Sequence, residues 1–127
     1  MADRSDPGDS VDQFLQEHID TVPHLEALLL LWNSRPQFWP VESMAKALFL
    51  TPQSAKGILD DLARQHLIVA TSGTYHYEAE PGLDSTLAFV ESAYRRDLIR
   101  ITQLIHSKPP AALREFARAF RLKKDRQ

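Results

Sequence analysis

The residues of this chain whose types could do chemistry are five histidines and the adjacent pair Asp60 and Asp61. A metal site needs several ligands on one face, but no two of the histidines stand four residues apart on a predicted helix beside a group of carboxylates. The two aspartates follow one another on a predicted helix, so their side chains point in different directions and form a poor acid and base pair. We interpret this pair as a solvated helix face.

The residue types that the sequence lacks exclude further chemistry. The chain has no cysteine, which excludes disulfides, thiol nucleophiles and cysteine-ligated zinc or iron–sulfur sites. There is no glycine-rich phosphate loop, and no Ser/His/Asp arrangement stands out. We therefore predict that the chain is not an enzyme and needs no metal ion or cofactor.

Length and composition predict one domain. A chain of 127 residues, 43% of them apolar, is long enough to form a single core. The first ten residues, MADRSDPGDS, are acidic and contain no apolar segment, so they do not form a signal peptide. The longest apolar run, from Leu25 to Trp32, is interrupted by Glu26 and is too short to span a bilayer. These features predict a cytoplasmic protein that has no membrane partner.

Charge is distributed unevenly along the chain. Residues 1–84 carry 5 Lys/Arg against 13 Asp/Glu, a net charge of −8, whereas residues 85–127 carry 10 against 4, a net charge of +6. Such a separation marks either a contact surface for an oppositely charged partner or a solvated basic tail.

The first half of the chain reads as a series of helices. Residues 1–9 are charged and have nothing to bury, so we predict a disordered leader, followed by a domain over residues 10–80. Ser10 and Gln13 form a capping box that starts a helix ending near Thr21. Pro23 suits the first turn of a second helix, which is apolar nearly all round and therefore central to the core. Phe38 and Trp39 then form a short extended piece between prolines.

Two further helices and a hairpin follow. The third helix starts at Val41, and Thr51 is a good N-cap for the fourth, with Pro52 at its first position. The apolar residues of the fourth helix recur at helical spacing and predict its buried face: Ala55, Ile58, Leu59 and Leu62. After Leu67 the pattern changes to two β-like runs, residues 68–71 and 74–78, joined by the turn Ser72-Gly73.

The last third, residues 84–127, is predicted to be a helical dimerisation region with a basic tail. A fifth helix starting at Asp84 or Ser85 and continuing to His106 would be ~33 Å long, more than a core of this size requires. One apolar stripe along it is the predicted dimer interface: Leu87, Val90, Tyr94, Leu98, Ile101 and Ile105. A second stripe consists of Phe89, Ala93 and Leu104. The alternative is a single wide face that packs within the chain.

A short terminal helix follows Pro109 and Pro110. It presents a row of cations on one side: Arg114, Arg118 and Arg121. This row is either a solvated helix face or an anchor for phosphates or for an acidic protein surface.

The segment at residues 41–78, VESMAKALFLTPQSAKGILDDLARQHLIVATSGTYHYE, resembles the winged helix-turn-helix of MarR-like and PadR-like transcription regulators. Within it, Met44 to Leu48 resembles the first helix of the motif, Pro52 to Gln65 the recognition helix, and Ser72-Gly73 the tip of the wing. The fold class that the resemblance implies is mainly α with a small β-hairpin, a long C-terminal helix and a short terminal helix.

The resemblance also implies a function. In such regulators the recognition helix enters the major groove of double-stranded DNA, the wing contacts the backbone or minor groove, and terminal helices build a homodimer. Carried over by position, Gln53 and Ser54 meet base edges and Lys56 and Arg64 hold phosphates. The full set of expected DNA-binding residues is Gln53, Ser54, Lys56, Gly57, Arg64, Ser72 and Gly73.

The charge pattern supports a second hypothesis. Two cations on the fourth helix are matched by two carboxylates, and the wing carries no Lys or Arg. The alternative function is therefore a winged-helix module that binds a protein partner through its acidic face or its basic C-terminal helix. A further open alternative concerns four aromatic residues, which either line a small-molecule pocket or pack in the core: Trp32, Phe38, Trp39 and Tyr94.

Overall fold

A computed structural model describes residues 7–108 of the chain, with six helices and a small antiparallel sheet. The elements in chain order are α1 (Pro7–His18), α2 (Val22–Asn33), β1 (Trp39–Pro40), α3 (Val41–Leu48), α4 (Pro52–Arg64), β2 (Val69–Thr71), β3 (Thr74–His76), α5 (Pro81–Arg96) and α6 (Leu98–His106). The expected class, mainly α with a small hairpin, is confirmed. Within the described part of the chain no helix is both long and apolar enough to cross a membrane.

The first helix is displaced from its predicted position. α1 begins at Pro7, three residues before the predicted cap at Ser10, so the last part of the predicted leader is helical. It ends at His18 because Thr21 caps the next helix instead: the Thr21 hydroxyl accepts a hydrogen bond from the backbone N–H of His24 at 3.3 Å.

Helix α2 is central to the core, as its apolar sequence predicts. Leu25, Leu28 and Leu31 are fully buried, and the helix packs against α3, α4, α5 and α6. Since its buried residues lie on nearly every side, α2 is the element around which the others are arranged.

Helices α3 and α4 form the predicted helix-turn-helix. Phe49 takes a left-handed conformation (φ 58°) and ends α3, while the N–H of Leu50 donates to the carbonyl of Ala45 at 2.8 Å. The Thr51 hydroxyl then caps α4 by accepting from the N–H of Ser54 at 3.1 Å. The predicted inner face of α4 is confirmed, since Ala55, Leu59 and Leu62 are buried and Ile58 is half-buried.

The wing is a hairpin in a three-stranded sheet of order β1-β3-β2. Trp39 of β1 pairs with Tyr75, and Val69 of β2 pairs with His76 on the other edge of β3. The turn between β2 and β3 has positive φ at both central residues, 49° at Ser72 and 85° at Gly73, the conformation that favours glycine in a two-residue hairpin. The strands are shorter than predicted, and the residues that flank them, Ile68 and Tyr77, are buried in the core.

The prediction of a single long fifth helix is wrong, because the chain forms two helices here. α5 starts at Pro81, where the Glu80 carboxylate caps it by accepting from the N–H of Leu83 at 2.6 Å. Asp97, with φ −137° and ψ 50°, then separates α5 from α6. The break allows α6 to pack against α1, where Arg100 donates to Asp12 at 3.2 Å.

The prediction that this apolar stripe forms a dimer interface is also wrong for most of its residues. Leu87, Val90, Ile101 and Ile105 are at most 1% exposed and belong to the core of the chain itself, so the intramolecular alternative holds for them. Tyr94 is half-buried and only Leu98 is exposed, at 51%. In the second stripe Ala93 is buried, Leu104 is half-buried and Phe89 is exposed. The terminal helix with Arg114, Arg118 and Arg121, and the basic tail, lie outside the described residues.

Candidate nucleic-acid interface

The exposed polar face of α4 is the candidate contact surface, and it begins at the helix N-terminus. Gln53, Ser54, Lys56 and Gly57 are exposed, in the arrangement that the resemblance predicts. Thr51 holds this end in place through the Ser54 N–H and through a hydroxyl contact with the Ser54 side chain at 3.1 Å. The positive end of the helix dipole favours a negatively charged ligand here.

The wing tip is the second part of the surface. Ser72 and Gly73 are exposed at the end of the hairpin and present backbone groups rather than long side chains. Behind the tip, the Tyr75 hydroxyl of β3 donates to the Asp60 carboxylate of α4 at 2.6 Å. This bond connects the wing to α4.

Lys56 is exposed but already has a partner. Its ammonium donates to the second oxygen of Asp60 at 2.7 Å, one helical turn away. The hydrogen bond to Asp60 raises the pKa of Lys56, and the hydrogen bonds from Lys56 and then Tyr75 lower the pKa of Asp60. Both groups therefore keep their charges over the whole neutral range.

Arg64 has a partner as well. It donates to one oxygen of Asp61, whose other oxygen lies 2.9 Å from Nε2 of the buried His24. Nδ1 of the same imidazole lies 2.6 Å from the Thr21 hydroxyl. Asp61 thus connects the end of α4 to α2.

These contacts correct the interpretation of Asp60 and Asp61 as a solvated helix face. Both side chains are half-buried, at 39% and 37% exposure, and both oxygens of each carboxylate accept hydrogen bonds from the chain itself. The acidic pair connects α4 to the wing through Tyr75 and to α2 through His24.

Sequence reasoning missed one exposed cation and two structural partners. Lys46 lies exposed on α3, the first helix of the motif, and its charge there was the available signal. Tyr75 and His24 carry no local signal, since their bonds to α4 join residues far apart in the chain.

The chain's remaining cations in the described part are mostly tied to neighbours. On α5, Arg95 pairs with Glu91 at 3.0 Å and Arg96 donates to the Ser92 hydroxyl at 3.0 Å. Arg100 on α6 binds both Asp12 and Asp97. Because most of these pairs are exposed, each contributes little to stability.

Metal and small-molecule sites have less support. Among residues 7–108 no group of three His, Asp or Glu side chains could hold a metal ion. The four aromatic residues proposed for a pocket do not converge: Trp32 donates to Asp84 and Trp39 to Ser34, while Phe38 stacks on His76 at 4.0 Å. A crevice of ≈420 Å³ does lie between α2, α3 and α5, but of the four only Tyr94 lines it.

The arrangement of helix-turn-helix, three-stranded sheet and wing defines a winged-helix protein. No protein-family model and no curated protein matches the sequence. Three solved structures resemble the chain over 94% of its length. They are MepR of Staphylococcus aureus in a complex with DNA (17% identity, TM-score 0.51, 91% of that chain covered), a MarR family protein from Bacillus stearothermophilus (15%, 0.52, 84%) and a Mycobacterium tuberculosis protein (21%, 0.51, 80%).

At these identities the likeness shows the fold alone. The chain has the winged-helix fold found in MarR-family regulators, which confirms the fold expected from residues 41–78.

Proposed function

We propose that the chain is a cytoplasmic, DNA-binding transcription regulator that acts as a homodimer and places α4 in the major groove. The observation that carries the proposal is the polar face of α4, which the fold leaves exposed at its capped N-terminus. Support comes from the fold itself, which is also that of a protein described in a complex with DNA.

Each exposed residue has a role that follows from its chemistry. Gln53 can make paired hydrogen bonds to an adenine edge, and Ser54 can donate to or accept from a base. Lys56 and Arg64 can hold phosphates once they exchange their carboxylate partners. Gly57 has no side chain and so would let the DNA backbone approach closely; the fold itself does not require glycine here, since a Cβ added at this position would meet no other atom within 4 Å. Ser72 and Gly73 contact the backbone beside the groove.

Of the predicted stripe, only Leu98 is exposed enough to belong to the dimer surface that we propose. Large apolar side chains remain exposed on α5 and at the start of α6, namely Phe89 at 48%, Leu98 at 51% and Ile99 at 72%. Leu98 and Ile99 adjoin in the chain, and we assign them, together with Phe89, to contact with a second copy of the chain. A symmetric dimer would present two copies of α4 to the DNA, and so two copies of Lys56 and Arg64.

A salt series tests the proposal. Double-stranded DNA fragments enriched from a random library should bind the protein more weakly as salt rises, because each cation that neutralises a phosphate releases counterions. Lys56→Gln should reduce the salt dependence by about one phosphate contact. Gln53→Ala should relax the preference at one base pair and cost about 1–3 kcal/mol of discrimination.

Arg96→Gln on α5 is the matched control, since it removes the same charge from an exposed helix away from α4. Equal losses for Lys56→Gln and Arg96→Gln would mean that α4 is not the contact surface. Absence of any duplex binding at low salt would exclude the proposed function.

A second candidate function is a winged-helix module that binds a protein. It is favoured by the wing, whose residues 69–76 contain no Lys or Arg, and by the pairing of Lys56 and Arg64 within the chain. The segment of residues 1–84, whose net charge is −8, would then contact a basic partner. Alternatively, an acidic partner would contact the cations Arg114, Arg118 and Arg121. If the protein binds such a partner but does not bind duplex DNA, this alternative is established.

A further inference from the structure

Asp60 occupies an unusual position for a carboxylate in a DNA-contacting helix. It lies one turn after Lys56, in the middle of α4, and its two oxygens have different partners. Oδ1 accepts from the Tyr75 hydroxyl at 2.6 Å, and Oδ2 accepts from the Lys56 ammonium at 2.7 Å. One carboxylate therefore holds the wing and also neutralises the nearest cation of the candidate interface.

We propose that Asp60 is a specificity-determining residue that weakens the binding of α4 to DNA of arbitrary sequence. The inference rests on the proposed function. It concerns the charge of Asp60, which is separable from its bond to Tyr75.

The physical reason lies in the difference between the two kinds of complex. Sequence-independent binding consists essentially of contacts between cations and phosphates, and the protein can shift along the duplex to make as many as possible. A specific complex is held in one register by base contacts, here those of Gln53 and Ser54, and gains less from any single cation. A carboxylate that occupies Lys56 and repels phosphates therefore costs the sequence-independent complex more.

Asparagine separates the charge from the structural role. The side-chain amide oxygen of Asp60→Asn can still accept from Tyr75, so the wing stays attached to α4, whereas the ion pair with Lys56 is lost. Exposed pairs of this kind contribute little to stability, so the variant should remain folded. Should it unfold, Asp60→Gln offers a second neutral side chain with the same acceptor.

The experiment compares a random-sequence duplex with an enriched duplex over a salt series. Asp60→Asn should bind the random duplex about three- to tenfold more tightly near 0.1 M salt, with a salt dependence steeper by about one phosphate contact. The enriched duplex should gain less, so the ratio of the two affinities falls. In a Lys56→Gln background the substitution should lose most of this effect, because the released cation is absent.

Asp97→Asn is the matched control. Like Asp60, Asp97 is a carboxylate that pairs with a nearby cation, here Arg100. Unlike Asp60, it lies outside α4, between α5 and α6. If Asp97→Asn increases the affinity for the random duplex as much as Asp60→Asn does, the effect comes from net charge alone and the inference is overturned.

The remaining outcomes are also decisive. If the wild type binds DNA and Asp60→Asn changes neither affinity nor salt dependence on the random duplex, the inference fails while the proposed function stands. If neither protein binds any duplex, the proposed function fails and the inference with it. Binding by Asp60→Asn alone would support the role of Asp60.

Discussion

At the scale of single residues, the three tyrosines share one arrangement. Each phenol donates to a carboxylate: Tyr75 to Asp60, Tyr77 to Asp84 and Tyr94 to Glu26. Burial is the largest cause that raises the pKa of each phenol, and the neighbouring carboxylate raises it further, to about 12 for Tyr94. The chain contains no other tyrosine, so the whole tyrosine absorbance reports these contacts.

This arrangement predicts an alkaline titration. A phenol whose pKa is higher in the folded state stabilises the fold fully below its ordinary value of about 10, and this stabilisation is lost as pH rises toward the folded value. Absorbance at 295 nm should therefore show that each tyrosine of the native protein ionises above its ordinary pKa of about 10, and that all three phenols return to about 10 in guanidinium chloride.

Tyr94→Phe should remove the step near pH 12 without changing the other two phenols. A native titration curve with a midpoint at 10 for any tyrosine would contradict the hydrogen bond assigned to it.

At the scale of elements, local capping decides where helices start. Thr51 and Pro52 start α4 where the sequence predicts, whereas α5 starts at Pro81 because Glu80 supplies an acceptor before the predicted Asp84. Both caps join residues three apart in the chain, but only the cap at Thr51 was predicted from the sequence. The break at Asp97 was not, since it depends on the packing of α6 against α1.

The Thr51 cap supports a prediction. Thr51→Ala should lower the free energy of unfolding by about 1 kcal/mol, because the N–H of Ser54 loses its acceptor. Chemical denaturation measures the difference. Ser43→Ala on the exposed side of α3 is the control and should change stability by less than about 0.5 kcal/mol. Equal effects of the two substitutions would show that the cap does not stabilise α4.

At the scale of the whole molecule, the proposed dimer depends on the apolar side chains that remain outside the core. Ile99 is 72% exposed and Ile101, two residues later on α6, is fully buried. Ile99→Asp should therefore give a folded monomer, which sedimentation velocity measures directly. Ile101→Asp should instead unfold the chain, because it places a carboxylate without a partner in the core.

Gln103→Asp adds the same charge at an exposed polar position of α6 and should remain dimeric. A monomeric wild type, or an Ile99→Asp variant that stays dimeric, would move the interface away from this surface.

The sequence by itself determined the order and type of the elements up to the wing, but not the division of the helix that follows into α5 and α6. Apolar spacing, the cap at Thr51 and the turn Ser72-Gly73 are properties of a few neighbouring residues, and they were sufficient to predict the helix-turn-helix, the wing and the exposed face of α4. This information is local because helix periodicity and turn conformation depend on residues within about one or two turns.

Only the tertiary structure decided which faces are buried and which charges are paired. Asp60 meets Tyr75 and Asp61 meets His24, partners 15 and 37 residues away, and these contacts change an apparent solvated face into a structural connection. The stripe from Leu87 to Ile105 has the same apolar pattern whether it packs on its own core or on a second copy. Burial depends on what the rest of the chain places opposite a residue, and no local pattern contains that information.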